Sequence, residues 1–152
     1  MIDNFAEILK DLGSLINVPL HVDRHGVCKI VVDQKFFVQI EHDPLRGRVL
    51  LVSMITEIPP GKFRENVLRE ALKANGSFPR TGTLAYVERN NNLSLHDYYN
   101  LVEFKIDKFA EYITSFIEKV YFWKTHIENG TIPSVISAPS PLPSSPFFRK
   151  YT

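Results

Sequence analysis

Three side chains near the start of the sequence have the local spacing of metal ligands. His21, His25 and Cys28 follow the pattern H-x3-H-x2-C. A structural zinc site takes four ligands, usually in two well-spaced pairs, and the sequence contains no second pair of this kind. His42 is the next candidate, but it falls on a different predicted strand. We therefore expect histidines on a surface loop and no functional metal.

The remaining reactive residues do not form a catalytic pattern. Cys28 lies in a valine-rich predicted strand, where a free cysteine usually behaves as a small buried hydrophobe. His96 and Asp97 are adjacent, so on a strand they point to opposite faces and do not act together as a base and its orienting partner. Pro60-Gly61-Lys62 lacks the upstream glycine of a phosphate-binding loop, and no G-x-S-x-G or H-E-x-x-H motif occurs. We predict no catalytic residues and no enzyme activity.

The composition is that of an ordinary folded domain. The chain has 152 residues, a common size for one domain, and 44% of them are hydrophobic. Lys and Arg total 18 against 17 Asp and Glu, a net charge of +1, so the positive field that nucleic-acid binding requires is absent. One cysteine excludes an intrachain disulfide. Without a signal-peptide pattern or an apolar run near the ~20 residues of a membrane span, we expect a cytoplasmic protein.

Hydrophobic periodicity predicts three helices. The first has an apolar stripe at steps of three and four from Ile2 to Ile16, and Asn17-Val18-Pro19 ends it. The second starts at Pro59-Pro60 and closes at Asn75-Gly76, where the glycine is expected in the left-handed conformation. The third has apolar positions from Ile106 to Ile127, a length of roughly 33 Å, and Asn129-Gly130 stops it.

Five strands are predicted between these helices. They cover Val27–Val32, Phe36–His42, Arg48–Ile55, Thr83–Glu88 and Leu93–Tyr99. Short connections favour antiparallel pairing, and the asparagines at 90–92 tolerate the positive φ of a hairpin turn. A further short strand at Leu20–Asp23 is expected beside the first. The predicted fold is α+β, in the order α-β-β-β-α-β-β-α, with a mainly antiparallel twisted sheet flanked by helices.

The composition changes abruptly after the third helix. Residues 131–152 are rich in proline and serine, which forbids regular helix and favours an extended segment. We therefore divide the chain into an α+β domain at 1–129 and a Pro/Ser-rich C-terminal tail at 130–152. Pro139-Ser140-Pro141-Leu142-Pro143 has the spacing of a polyproline II ligand, so an adaptor that uses its tail as the ligand is one hypothesis.

The predicted sheet raises a question about its second face. An antiparallel sheet commonly covers one face with helices and leaves the other to water. Phe36 and Phe37 place one large aromatic ring on each face of their strand. An apolar residue on an open face indicates a partner, whereas helices on both faces would make both rings core. The sequence leaves these two alternatives open.

Four stretches together form a recognisable pattern. They are Leu68-Arg69-Glu70-Ala71-Leu72-Lys73-Ala74-Asn75, Arg80-Thr81-Gly82-Thr83-Leu84-Ala85-Tyr86, Leu93-Ser94-Leu95-His96, and a long helix with Phe109, Phe116 and Trp123. In this order the pattern resembles the Tir chaperone (CesT-type) family, the class I chaperones of type III secretion. The resemblance covers residues 1–129. The chain departs from the family in its near-neutral charge, where members are typically acidic, and in its long proline-rich tail.

The resemblance implies a homodimer that binds the N-terminal region of secreted effector proteins in the bacterial cytoplasm. Such a chaperone keeps that region extended and secretion-competent and delivers it to the export apparatus, without ATP or another cofactor. The implied two-fold interface involves Phe63, Val67, Leu68, Ala71, Leu72, Leu84 and Tyr86. Effector contacts are expected at Phe5, Leu9, Leu12, Phe36 and Phe37, with a plain core role as the alternative for each.

The competing hypothesis is a small α+β ligand- or metal-binding domain with enzymatic activity. Its pocket would lie between a helix and the sheet and would need polar groups that converge in a cavity. The cluster that the sequence offers for this role is His21, His25, Glu41 and His42.

Overall fold

A computed structural model describes residues 2–134 of the chain. Its elements are α1 (Ile2–Ile16), β1 (Val27–Val32), β2 (Phe36–Asp43), β3 (Arg48–Glu57), α2 (Lys62–Asn75), β4 (Thr83–Val87), β5 (Asn92–Asn100) and α3 (Ile106–Glu128). The predicted α+β class and element order are confirmed. The tail at 130–152 lies outside the described residues beyond Ser134, so its assignment as a separate segment stays a prediction.

The five strands form one sheet in the order β1-β2-β3-β5-β4. All four pairings are antiparallel, as the short connections predicted. β5 lies between β3 and β4, since the chain leaves β3, passes through α2, forms the outer strand β4 and returns. The expected strand at Leu20–Asp23 is reduced to a single bridge between Val22 and Cys28.

One face of the sheet carries the hydrophobic core. α3 packs against β3, and α1 packs against α3. The apolar stripe of α3 is fully buried at Phe109, Ile113 and Phe116. Every second residue of β1, β2 and β3 is buried beneath these helices, because side chains alternate between the two faces of a strand. The pattern therefore shows which face the helices cover.

The two glycines expected to end helices differ in conformation. Gly130 after α3 has φ 70°, and Thr131 N donates to His126 O at 2.9 Å, a left-handed helix end of the predicted kind. Gly76 after α2 instead has φ −88° and ψ −4°, so the expectation of a left-handed glycine there is wrong. The start of α2 also differs, because the helix begins at Lys62 and the two prolines precede it.

Candidate binding surface

The second face of the sheet carries an apolar surface. We call it the open face, and its apolar members are Val31, Phe37, Leu50, Val52, Met54 and Tyr98. The strand register places them on one side, since Val31 lies opposite Phe37 and Leu50 lies opposite Tyr98. Val31 is 51% exposed, Phe37 39% and Tyr98 50%. Helices thus cover Phe36 but not Phe37, which settles the question that the sequence left open.

Two cations lie over the aromatic rings of the open face. Lys29 Nζ is 5.1 Å from the centre of the Phe37 ring, and Arg48 Cζ is 3.7 Å from that of Tyr98. Arg48 Nε also donates to Asp43 Oδ2 at 3.0 Å. Burial alone raises the pKa of Asp43, but hydrogen bonds from Arg48 and Arg46 outweigh it and lower that pKa below its usual value. The open face therefore combines apolar area with charged groups at its margin.

The residues predicted to contact an effector occupy different places. Leu9 and Leu12 are buried in α1 at 1% and 0% exposure, and Phe5 and Phe36 are buried at 5% and 6%. All four belong to the core between the helices and the sheet. Phe37 alone among the five is exposed. The signal that separates it from Phe36 is its place in the strand alternation, once the covered face is known.

The outer edge of β1 is partly occupied by the chain itself. Val22 bridges Cys28, and Asp23 N donates to Val27 O at 2.9 Å. Backbone hydrogen bonds from Val27 and His25 to the Asp23 carboxylate lower its pKa and hold this turn in place. Within residues 2–134, no strand pairs with the outer edge of β1 beyond Cys28. An extended peptide can add a strand to such an edge.

The opposite edge, β4, is bound by the end of α2. The Asn75 side chain accepts a hydrogen bond from Leu84 N through Oδ1 and donates to Leu84 O through Nδ2, both at 2.8 Å. The amide thus satisfies both outward backbone groups of Leu84 as a neighbouring strand would. This contact gives a physical role to the asparagine of the Ala74-Asn75 pair, with which the helix motif ends. Sequence reasoning noted the asparagine as part of a pattern and missed its role.

The residues predicted for a dimer interface divide into two groups. Val67, Ala71 and Leu84 are buried within the protomer at 0%, 4% and 4% exposure. The others lie nearer the surface: Leu72 is 73% exposed, and Phe63, Leu68 and Tyr86 are partly buried against the core. The elements that carry them, α2 and β4, are in contact with each other, and the interface itself stays a prediction.

The loop before β4 is held by contacts with β5 and α3. Gly82 has φ +72°, and a Cβ on it would lie 2.9 Å from Leu95 Cδ1. Lys119 Nζ on α3 donates to Thr81 O at 2.8 Å. Burial, followed by the charge of Arg80, lowers the pKa of Lys119 to about 8. The Gly-Thr motif therefore reflects a close approach of backbone to the neighbouring strand.

The residues considered for metal binding do not converge. His42 stacks on Phe5 with 4.9 Å between ring centres, whereas Glu41 lies on the open face opposite Leu50. Burial raises the pKa of the Cys28 thiol to about 11. Among the described residues, no group of three or more His, Cys, Asp or Glu side chains is placed to hold a metal ion. The four residues offered for that hypothesis, His21, His25, Glu41 and His42, therefore do not form a metal site in the described part of the chain.

A shallow groove of about 480 Å³ lies between the end of α1 and the loop that follows it, lined by Lys10, Gly13, Ser14, Asn17, Val18, Pro19, Leu20 and His21. It contains Lys10 and His21 but no carboxylate or thiol beside them. None of the helices in the described part of the chain has the length and hydropathy that a membrane span requires.

Comparison with solved structures identifies the same fold in chaperone complexes. A chain of the HopA1–SchA chaperone–effector complex superposes with a TM-score of 0.65 at 19% identity, over 80% of this chain and 93% of that one. The ExsC–ExsE complex matches with a TM-score of 0.65 at 16% identity, over 84% and 96%. The Yersinia pestis type III secretion chaperone SycH, in complex with a fragment of YscM2, matches with a TM-score of 0.57 at 14% identity, over 76% and 95%.

Comparison at the level of sequence separates family from individual relatives. No curated protein matches the chain. The model of the Tir chaperone protein (CesT) family matches residues 7–124, a span that includes all five strands, α2 and most of both other helices. The chain therefore belongs to the Tir chaperone protein (CesT) family.

Proposed function

We propose that the protein is a cytoplasmic type III secretion chaperone that binds the N-terminal segment of effector proteins on the open face of its sheet. The observation that most supports this proposal is the exposed apolar surface of the open face, in a protein with the fold of a chaperone family. The bound segment stays extended and is handed to the export apparatus. Family membership and the SchA, ExsC and SycH complexes, in which a partner is bound, support this function.

The area of the open face suits this task. Ordering a disordered segment costs on the order of 2–5 kcal/mol. At roughly 25 cal/mol per Å² of buried apolar surface, about 200 Å² of contact offsets the upper figure. A large aromatic side chain has roughly 150–250 Å² in all, but only the exposed part of Phe37 (39%) and of Val31 (51%) is free for a partner. The contact therefore extends over the rest of the open face, including Tyr98, which is 50% exposed.

We propose that two copies associate through α2 and β4. Leu72 is the most exposed apolar residue of α2, and Phe63, Leu68 and Tyr86 lie beside it on the same two elements. A two-fold contact is self-complementary, so each residue in it serves twice. A dimer then presents two open faces to one effector, which raises the effective concentration of the second contact.

We propose that the protein acts by binding and not by catalysis. The support is family membership and the burial of the one thiol: Cys28 is fully buried, and burial raises its pKa to about 11. A wrapped, extended effector segment requires no covalent step and no nucleotide.

Co-purification tests this function. The tagged full-length chain is purified from its own bacterium, and the bound proteins are identified by mass spectrometry. We expect a small set of secreted proteins that are lost when their N-terminal segments are deleted. Phe37→Asp should reduce their recovery at least tenfold, while circular dichroism and dimer mass stay unchanged.

The matched control is Leu45→Asp. Leu45 is 93% exposed in the turn between β2 and β3, so the variant adds the same charge away from the open face. Recovery should match that of the unmodified chain. Equal recovery with Phe37→Asp would refute the assignment of the open face, and partners held through other regions would refute the proposed function.

A further inference from the structure

The register of β1 and β2 arranges their outward side chains in three rows across the two strands. The rows are Val31 with Phe37, Lys29 with Gln39, and Val27 with Glu41. Alternate residues of a strand share a face, so all three rows point to the side of the open face. Successive rows are two residues apart, a distance of roughly 6.6–6.8 Å along the strands. This part of the sheet therefore presents an apolar row, a row with a cation and a row with an anion, in that order.

The two charges in these rows have no partner of opposite sign. Lys29 and Glu41 are both exposed, and within residues 2–134 neither belongs to an ion pair. The carboxylate of Asp23 in the loop before β1 is engaged elsewhere, since it accepts hydrogen bonds from His25 N at 2.8 Å and Val27 N at 3.0 Å. A ligand on the open face therefore meets one free cation and one free anion.

The opposite end of the open face differs in this respect. Arg48 Cζ lies 3.7 Å from the centre of the Tyr98 ring, and its Nε donates to Asp43 Oδ2 at 3.0 Å. Arg46 Nη1 lies 3.3 Å from the same carboxylate oxygen. The cations at that end already have a partner within the protomer, so Tyr98 offers apolar area without a free charge.

The middle row is complementary to a carboxylate. Lys29 Nζ lies 5.1 Å from the centre of the Phe37 ring, and its ammonium group carries three hydrogen-bond donors. The amide of Gln39 in the same row adds two more. Hydrogen bonds from an ammonium to a carboxylate are among the stronger ones in proteins. A ligand side chain that covers Phe37 is therefore best followed by an aspartate or glutamate over Lys29.

The third row is complementary to a cation. Glu41 is the diagonal neighbour of Lys29, and such neighbours lie roughly 7–8 Å apart. A lysine or arginine of a ligand can pair with Glu41 and lay its apolar stem along Val27 in the same row. The rows thus specify a sequence of side-chain types as well as a hydrophobic contact.

We propose that the open face selects effector segments that carry a large apolar, an acidic and a basic side chain at successive alternate positions. In an extended segment, side chains two residues apart have the same spacing as the rows, so the three lie in turn over Phe37, Lys29 and Glu41. The inference rests on the proposed function and names the class of segment that this surface binds. Each exposed ion pair changes the affinity by a factor of about 1.4 to 5.

A peptide array probed with the purified full-length chain tests this selection. All peptides have one composition: a leucine, a glutamate and a lysine among serines, with blocked ends. The first peptide has leucine, glutamate and lysine at alternate positions in that order, and the second exchanges glutamate and lysine. We expect the first to bind about 2- to 30-fold more strongly, because the exchange removes both ion pairs. A third peptide, with the three residues adjacent, should also bind more weakly, since neighbouring residues of an extended chain point to opposite sides.

Charge-exchanged variants locate the effect on the protein. Lys29→Glu with Glu41→Lys should reverse the preference, so that the second peptide binds more strongly than the first. The matched control is Lys108→Glu with Glu111→Lys, which exchanges an exposed ion pair of 3.2 Å on α3 and should leave the preference unchanged. Equal binding of all three peptides, binding of none, or a preference that the first variant leaves unchanged would each overturn the proposal.

The outcome is separable from that of the co-purification experiment. Secreted partners that co-purify, together with an array that shows no preference, would overturn the selection and leave the proposed function standing. An array preference that the charge exchange reverses, without secreted partners in the co-purification, would support the selection and refute effectors as its source.

Discussion

The contact between Asn75 and β4 allows a quantitative test of how α2 is attached. The Asn75→Ala variant removes two hydrogen bonds of 2.8 Å: Leu84 N donates to Asn75 Oδ1, and Asn75 Nδ2 donates to Leu84 O. A typical hydrogen bond contributes roughly 0.5–1.5 kcal/mol net, and a buried group left without a partner costs about 1–3 kcal/mol. Both backbone groups of Leu84 lose their partner, so we expect a loss of about 2–6 kcal/mol in the free energy of unfolding.

Urea unfolding followed by circular dichroism measures this loss. The chain concentration must be held fixed, because association of two copies shifts apparent stability. The control is Lys73→Ala in the same helical turn, whose side chain makes an exposed ion pair with Glu70 at 2.9 Å. Exposed pairs contribute about 0–1 kcal/mol, so this variant should differ little from the unmodified chain. A loss below about 1 kcal/mol for Asn75→Ala would refute the view that this amide replaces a neighbouring strand.

Three further variants and conditions have expected outcomes. Gly82→Ala should lower the thermal midpoint more than Gly47→Ala, because both glycines have positive φ but only at Gly82 would a Cβ meet Leu95 at 2.9 Å; equal shifts would show that the contact is relieved. Leu12→Ala should lower the free energy of unfolding in denaturant by about 2–5 kcal/mol, since Leu12 is fully buried. An unchanged unfolding midpoint would instead support a role for Leu12 in effector binding. Stability should fall between about pH 9 and 11, because the unfolded chain releases the Cys28 proton near the ordinary value of 9.0 while the folded thiol keeps it to about 11; Cys28→Ala should remove this part of the pH dependence measured in urea.

Local patterns determined most of the secondary structure in advance. The stripes of α1 and α3 place every third or fourth residue on one side, and the structure buries those sides. The hairpin before β5 turns at Asn91 with φ 57°, as the asparagine run predicted. Gly130 ends α3 in the left-handed conformation for the same local reason. These features depend on neighbours within a few residues, so the sequence contains them directly.

Residues far apart in the chain determined the rest. Asn75 at the end of α2 bonds to Leu84, nine residues further along the chain, and Gly76 beside it is not left-handed. The metal hypothesis required the side chains of His42 and Glu41 to converge, but adjacent residues of a strand point to opposite faces. The ring of His42 stacks instead on Phe5 of α1. No short-range pattern contains either contact.

The binding surface shows the same division. By itself the sequence determined that Phe36 and Phe37 lie on opposite faces of a strand, because the side-chain period of a strand is two residues. It also contained the order of elements and the motifs that indicated the family. Only the tertiary structure decided which face α1 and α3 cover, and hence that Phe36 is core and Phe37 is exposed. The physical reason is that alternation specifies two faces, whereas the choice between them depends on where helices distant in sequence pack.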